Sequence, residues 1–265
     1  MPEISSINPL AVAGFSAGSA AYAVGRPDYP QGVIDWLRED LGLGPGKSAL
    51  DLGAGTGKFL AALRQTGASL HAVEPVAAMR ERLVAANADV MALAGDAERI
   101  PLPDVSLDAV LCAQSFHWFA TGAALAEIRR VLKIGGALGL VWNVRDESVA
   151  WVAALTEIMA PYEGDTPRFA SGAWRKPFPA PGFSPLVERR FAHVQVGPPE
   201  RVIVDRVLST SFIASLPTVE REGVAEQVRA LIAATPSLAG RDEVAYPYET
   251  RAYACRRLAD RKSVV

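Results

Sequence analysis

The segment Ala49-Leu50-Asp51-Leu52-Gly53-Ala54-Gly55-Thr56-Gly57-Lys58-Phe59 constrains this chain more than any other stretch. An apolar run from Ser48 to Leu52 reads as a buried strand. Three glycines at alternate positions follow, and Phe59-Leu60-Ala61-Ala62-Leu63 supplies a helical apolar stripe. A turn without Cβ atoms lets backbone approach a ligand that side chains would push away. The free N–H groups of a helix beginning at Lys58 would favour an anionic group at the same spot. A dinucleotide fingerprint requires G-x-G-x-x-G, but Gly53, Gly55 and Gly57 are spaced G-x-G-x-G, so the third glycine falls one residue early. Asp51 stands just before the turn, where its carboxylate repels a pyrophosphate but suits a ligand with an amino group.

Two more apolar runs end in acids. Leu70-His71-Ala72-Val73-Glu74-Pro75 places Glu74 roughly 20 residues past the turn, where an acid accepts hydrogen bonds from ribose hydroxyls. Val90-Met91-Ala92-Leu93-Ala94-Gly95-Asp96-Ala97-Glu98 ends the third strand, with Glu98 expected in solvent. The fourth strand, Leu107–Ala113, runs into Gln114-Ser115-Phe116-His117-Trp118-Phe119. A ligand with a ribose, a carboxylate and an ammonium describes S-adenosylmethionine.

Asp51 to Gly57 resembles the first motif, (E/D)-x-G-x-G-x-G, of the class I S-adenosylmethionine-dependent methyltransferases. The Ala-Gln-x-Phe-His-Trp-Phe pattern ending at Phe119 is similar to the trans-aconitate and ubiquinone/menaquinone-biosynthesis type. The resemblance is specific over residues 48–143 and looser afterwards. It implies a doubly wound, Rossmann-like α/β fold whose seven-stranded sheet is mostly parallel, with an antiparallel C-terminal strand pair. It also implies S-adenosylmethionine as cofactor. The cofactor residues expected on the turn are Asp51, Gly53, Ala54, Gly55, Thr56 and Gly57. Glu74, Pro75 and Met79 are expected after the second strand, Asp96 on the adenine amino group with Ala97 beside it, and Ala113, Gln114 and Ser115 at the end of the fourth. Relatives of this type carry a Tyr-x-x-x-Arg-Pro-x-Tyr stretch folded over the cofactor. Tyr22 and Arg26 match it here, Arg26 as a bidentate partner of the methionine carboxylate and Tyr22 through cation–π attraction.

The acceptor side is expected at Phe116, His117, Trp118, Trp142, Asn143 and Arg145. A carboxylate acceptor needs no general base, whereas a phenol or hydroxyl does, and His117 is the candidate catalytic residue. The Asn/Asp-Pro-Pro-aromatic tetrapeptide of methyltransferases acting on nucleic-acid bases is absent. Cys112 lies inside a strand and is no nucleophile candidate. No metal-ligand spacing occurs. A non-catalytic cofactor-binding protein shares these cofactor signals and stays open beside the enzyme. A nicotinamide oxidoreductase is contradicted by the glycine spacing and by Asp51.

At 265 residues a single methyltransferase domain, 1–265, is expected, with residues 1–30 as a cap over the cofactor and residues 145–245 partly a substrate lid. Lys+Arg 27 against Asp+Glu 29 leaves a net charge of −2 with no basic run, which disfavours a nucleic-acid partner. The expected partner is a small-molecule acceptor, to a monomer or a homodimer. Cys112 and Cys255 show no redox spacing. No segment reads as a signal peptide or a membrane span, so a cytoplasmic protein is expected. Helices are expected over Gln31–Leu41, Val76–Ala86 and Ala120–Leu132, and near Val202–Ala214 and Val219–Ala234. A tight Gly135-Gly136 turn should lead into a fifth strand ending at Asn143, with late strands over Val187–Val196 and Tyr248–Arg256. The Pro-, Gly- and aromatic-rich stretch from Pro161 to Pro185 is expected as irregular lid or loop.

Overall fold

Five apolar runs of the first half of the chain pair side by side in parallel: β1 (Ser48–Leu52), β2 (Ser69–Val73), β3 (Met91–Leu93), β4 (Leu107–Ala113) and β5 (Leu132–Arg145). The computed structural model describes residues 26–259. Two late strands, β6 (Val187–Gly197) and β7 (Val244–Arg256), complete one seven-stranded sheet in the order β3-β2-β1-β4-β5-β7-β6. β7 runs against both of its neighbours, so it alone opposes the other six. Near-continuous hydrophobic runs suit strands covered on both faces. Alternation along β1 and β4 assigns the residues to two cores: Leu50, Leu52, Val110 and Cys112 to one, Ala49, Ala109 and Leu111 to the other.

Helices cover each face. α1 (Gln31–Glu39), α2 (Leu60–Arg64) and α3 (Ala77–Ala86) contribute Val33, Leu37, Leu60, Leu63 and Leu83 to one core. α4 (Gly122–Val131) covers the other with Ala124, Leu125, Ile128 and Val131, a stripe at helical spacing. Burying each of its large side chains stabilises the fold by about 1.5–3 kcal/mol. Thr121 fixes its start, its hydroxyl accepting from the Ala124 N–H at 3.0 Å.

Several boundaries differ from expectation for physical reasons. α2 begins at Leu60 rather than Lys58, because Gly57 takes φ +83° and helical bonding starts only beyond it. Gly135-Gly136 is not a turn into β5 but lies within it, where Leu107↔Leu132 pairing jumps to Ala109↔Ala137 and the extra residues of β5 bulge out. The expected run over Val202–Ala214 is broken into a π-helical turn (Glu200–Val204), α6 (Asp205–Leu208) and α7 (Ser211–Ala214), since Thr210 between them is extended. α5 (Ala150–Met159) lies where the sequence reading placed no helix, and α8 spans Thr218–Ala234.

The segments after β5 form a third core. Val152, Leu155 and Met159 of α5 pack with Val202, Val207, Ile213, Val224 and Val228, and with Tyr246 and Tyr248 of β7. No described helix is long and apolar enough to cross a membrane. Strand order reverses between β1 and β4, one connection leading outward to β2 and β3 and the next to β5. In open α/β sheets the crevice at the carboxyl ends of such strands is the ligand site.

Candidate functional site: two adjoining cavities

A cavity opens at the carboxyl ends of β1, β2 and β4. It is lined by Asp51, Gly53, Ala54, Gly55 and Thr56, by Glu74, Pro75 and Met79, by Asp96 and Ala97, and by Ala113, Gln114 and Ser115, with Arg26 at its edge. These are sequence-predicted residues gathered from four strand ends. Gly57 does not line it: a Cβ there would meet the Asn87 Nδ2 at 2.7 Å, so this glycine faces helix α3 and serves packing. Gly53 takes φ +71°, and a Cβ on it would lie 2.8 Å from the Ser115 Cβ. Tyr22 lies outside the described residues. Phe119, Thr121 and Phe59 also line the cavity and were not singled out as cofactor residues from sequence; Glu98, expected in solvent, lines it too, as do Lys58 and Tyr29, the closing tyrosine of the stretch before α1.

The acids differ in how they are held. Asp51 is 1% exposed, and neither of its carboxylate oxygens has a hydrogen-bond partner. Burial, reinforced by the nearby Glu74 charge, pushes it up to about 8. A buried carboxylate with no partner is costly and calls for a cation. Glu74 is braced on both oxygens: Oε2 accepts from the Gly55 N–H at 2.8 Å and Oε1 from the Val76 N–H at 2.9 Å. Burial raises its carboxyl, and those amides pull it back in part. Glu74 therefore shapes the glycine turn and keeps a further lone pair on each oxygen for a ligand. At the far end, Asp96 Oδ1 accepts from the Glu98 N–H at 2.9 Å, which leaves Oδ2 open. Exposed Glu98 is not a free charge, since its Oε1 takes the Thr121 hydroxyl at 2.8 Å.

Gln114 divides this cavity from a second chamber. It takes φ +58°, an uncommon conformation for a non-glycine residue and one that recurs at functional sites. Its N–H donates to the Val141 carbonyl at 2.8 Å. The chamber is lined by His117, Trp118, Trp142, Asn143 and Arg145, and by Arg168, Phe169, Arg206 and Phe212 from the segments after β5. Arg26, Gln114, Trp118, Asn143 and Arg206 line both spaces, so the two adjoin. Phe116, expected among the acceptor residues, is 0% exposed and sits in the core against Phe119 and Phe178; the 3₁₀ turn at Phe116–Trp118 directs it away from both cavities.

His117 is held by its neighbours. The Trp142 indole N–H donates to His117 Nδ1 at 3.1 Å. An indole N–H only donates, so Nδ1 is the acceptor and the ring proton resides on Nε2. Burial, with the Arg26 and Arg168 charges, pushes this imidazole down to about 3. In this arrangement the imidazole is neutral, with Nδ1 occupied by Trp142 and Nε2–H available as a donor. Asn143 is fixed from two sides: its Oδ1 accepts the buried Thr250 hydroxyl at 2.6 Å, and its Nδ2 donates to the Asp28 carbonyl at 2.9 Å. Arg26 Nη2 donates to the Ser209 carbonyl at 3.2 Å, tying the segment before α1 to that after α6.

The chamber is strongly cationic. Arg168 pairs with Glu163. Arg145 and Arg206 form no ion pair among the described residues; Arg145 Nη1 meets the Met159 sulfur at 3.4 Å and Arg206 Nη1 the Thr210 hydroxyl at 3.3 Å, and the two guanidiniums also face the hydroxyls of Tyr246 and Tyr248. Burial, with repulsion from Arg206 and Arg168, lowers the Arg145 guanidinium. Sequence reasoning picked Arg145 from its place at a strand end but missed Arg168 and Arg206, which no motif or periodicity marks.

Residues 50–140 match the family described as Methyltransferase domain. An uncharacterized methyltransferase-like protein of Schizosaccharomyces pombe is 37% identical over 245 residues, covering 90% of this chain and 93% of its own. An uncharacterized methyltransferase of Mycobacterium tuberculosis is 40% identical over 236 residues, covering 89% and 92%. Among solved structures, a protein of Anaeromyxobacter dehalogenans provisionally named a type II methyltransferase aligns with a TM-score of 0.65 at 23% identity, over 88% of this chain and 98% of that one. It shares the fold.

Proposed function

Because the chain belongs to the class I S-adenosylmethionine-dependent methyltransferases, we propose that it methylates a carboxylate oxygen of a small molecule held in the arginine-lined chamber. The first cavity fits the cofactor. Asp51 is a buried carboxylate lacking the cation that an amino group supplies. Glu74 keeps lone pairs for ribose hydroxyls, and Asp96 keeps Oδ2 for an adenine amino group. Bound S-adenosylmethionine supplies a methyl group on a sulfonium, whose C–S electron pair returns to sulfur as an acceptor oxygen forms the new bond.

What remains for the protein is to bind, align and shield. Gln114, Trp118 and Asn143 line both cavities and would set the acceptor oxygen against the cofactor. Residues 26–30 and the part of residues 145–245 outside β6 would close over the pair and exclude water, Arg26 linking them through Ser209. His117 would donate its Nε2–H to the acceptor and orient it. The observation that carries the reading is the Trp142–His117 bond inside a cationic chamber. With His117 Nδ1 already occupied by Trp142, an acceptor that arrives ionised is the one this chamber serves without a base, and arginines favour a carboxylate.

The test is a screen of organic acids with cofactor labelled in the methyl group. A methyl ester releases its label as volatile methanol in mild alkali. Label that stays non-volatile, as in an ether, amine or C-methyl product, would reject the carboxylate reading while leaving the methyltransferase intact.

A further inference from the structure

Charge balance in the chamber says more about the acceptor. Of the four arginines that line it, Arg168 has Glu163, and Arg26 borders the cofactor cavity, where the cofactor's own carboxylate would meet it. Arg145 and Arg206 remain without an anion among the described residues. The lining acid Glu147 is exposed and accepts the Thr156 hydroxyl at 2.7 Å. Burial opposes the charge on Arg145, and an anionic group brought beside each of the two guanidiniums would pair it. A monocarboxylate supplies only one.

The two arginines are also placed differently. Arg206 lines both cavities, whereas Arg145 lines only the chamber, on the last residue of β5 opposite Tyr248 in the β7 register. Tyr246 and Tyr248 are buried there, their hydroxyls turned toward Arg145 and Arg206. We propose, resting on the carboxylate reading above, that the acceptor is a dianion: Arg206 holds the carboxylate that reacts, and Arg145 holds a second anionic group that does not. The second group fixes which end of the molecule faces the cofactor. Methylation removes the charge that Arg206 pairs with, so the product binds more weakly than the acceptor and leaves.

The second anion can be a carboxylate or a phosphonate-like group, and matched probes separate these. The protein saturated with S-adenosylhomocysteine is titrated calorimetrically at fixed ionic strength with succinate, glutarate and adipate, with the monomethyl ester of each, and with 3-phosphonopropionate. A dianion is expected to bind at least about tenfold more tightly than its own monomethyl ester. Arg145→Gln should remove most of that difference, and Arg145→Lys should retain part of it, with S-adenosylhomocysteine affinity reporting an intact fold in each. Tighter binding of the phosphonate than of the matched dicarboxylate would identify the second group as a phosphorus acid. Equal binding of diacid and ester, an equal loss for both in Arg145→Gln, or no dianion binding at millimolar concentration would overturn the proposal. Methylation of monocarboxylates without preference for diacids would overturn it too, yet leave the carboxylate reading standing.

Discussion

The two cavities share a wall and differ in their charged groups. The first gathers four carboxylates, Asp51, Glu74, Asp96 and Glu98, beside Arg26, Lys58 and Arg206; the second gathers four arginines, two of them from segments beyond the parallel strands, with Glu147 as its one lining acid among the described residues. An acid-lined cavity beside a cationic chamber suits a cationic methyl donor facing an anionic acceptor, and it opposes the swapped arrangement. Gln114, Trp118 and Asn143 occupy the boundary, where attraction from each side brings the partners together. On the proposed reading, alignment would rest on these two sets of charged groups rather than on a proton-transferring side chain.

The largest way to break the contrast is to displace the glycine turn from its neighbours Ser115 and Phe119 at the wall of the first cavity. Gly53→Val adds a Cβ 2.8 Å from Ser115 at a backbone position with φ +71°, which a β-branched residue resists. Calorimetry should show S-adenosylhomocysteine binding weakened by about a hundredfold or more, equivalent to ~3 kcal/mol. Retained affinity would mean that this turn is not the cofactor cradle.

Asp51→Asn comes next and sharpens the comparison through pH. The ligand-free folded protein holds a proton on Asp51 up to about pH 8, whereas the unfolded chain loses it near the ordinary value of 3.8. Stability from this group is therefore complete below about pH 4 and is lost as pH rises toward 8. A ligand ammonium pairs with the ionised form, so S-adenosylhomocysteine affinity should climb by up to about tenfold per unit from about pH 6 to 8 and then level off. Calorimetry in buffers of differing ionisation enthalpy should detect the proton released. Asn at this position should flatten the profile and weaken binding by roughly ten- to a hundredfold at pH 8, while raising the stability of the ligand-free protein there. A wild-type profile that is already flat would dissociate Asp51 from the ligand's amino group.

The chamber gives a smaller effect. His117→Gln keeps a donor and should raise the acceptor KM by about tenfold with little change in kcat. In the wild type, kcat/KM should show no inflection near pH 6–7, because this imidazole titrates near 3. An inflection there that disappears in His117→Gln would restore the general-base role.

The two cavities were also unequally legible in the sequence. Glu74, Asp96 and the glycine turn could be located because each follows an apolar run, and Asp51 because it interrupts one just before the turn; the strand pattern fixes where such residues come together. Phe116 and Gly57 were misplaced by the same reasoning, since a pattern gives position along the chain but not the direction of a side chain in an irregular turn. Arg206 sits on a four-residue helix after a π-helical turn, and Arg168 in a segment without regular structure. No periodicity announces either, and only the third core brings them to the end of β5. Cavity walls made by long-range packing leave little trace in local pattern.

The smallest expected effect concerns the shared wall. Thr250 Oγ1 is fully buried and donates to Asn143 Oδ1 at 2.6 Å, which leaves Asn143 Nδ2 to hold the Asp28 carbonyl. Thr250→Val preserves shape but strands a buried amide oxygen, at a cost of about 1–3 kcal/mol. Thermal unfolding should shift down by several degrees, at roughly 2–4 °C per kcal/mol for a chain of this size. Asn143 is then free to turn its amide, and residues 26–30 lose part of their anchor on β5. Binding of S-adenosylhomocysteine should weaken by less than about threefold, since Asp51, Glu74 and the glycine turn are untouched, whereas acceptor KM should rise more, because Asn143 lines the chamber as well. If cofactor affinity instead falls as far as in Asp51→Asn, then Asn143 and the Asp28 segment belong to the cofactor's own grip, and the boundary between the two cavities lies deeper in the chamber than its lining implies.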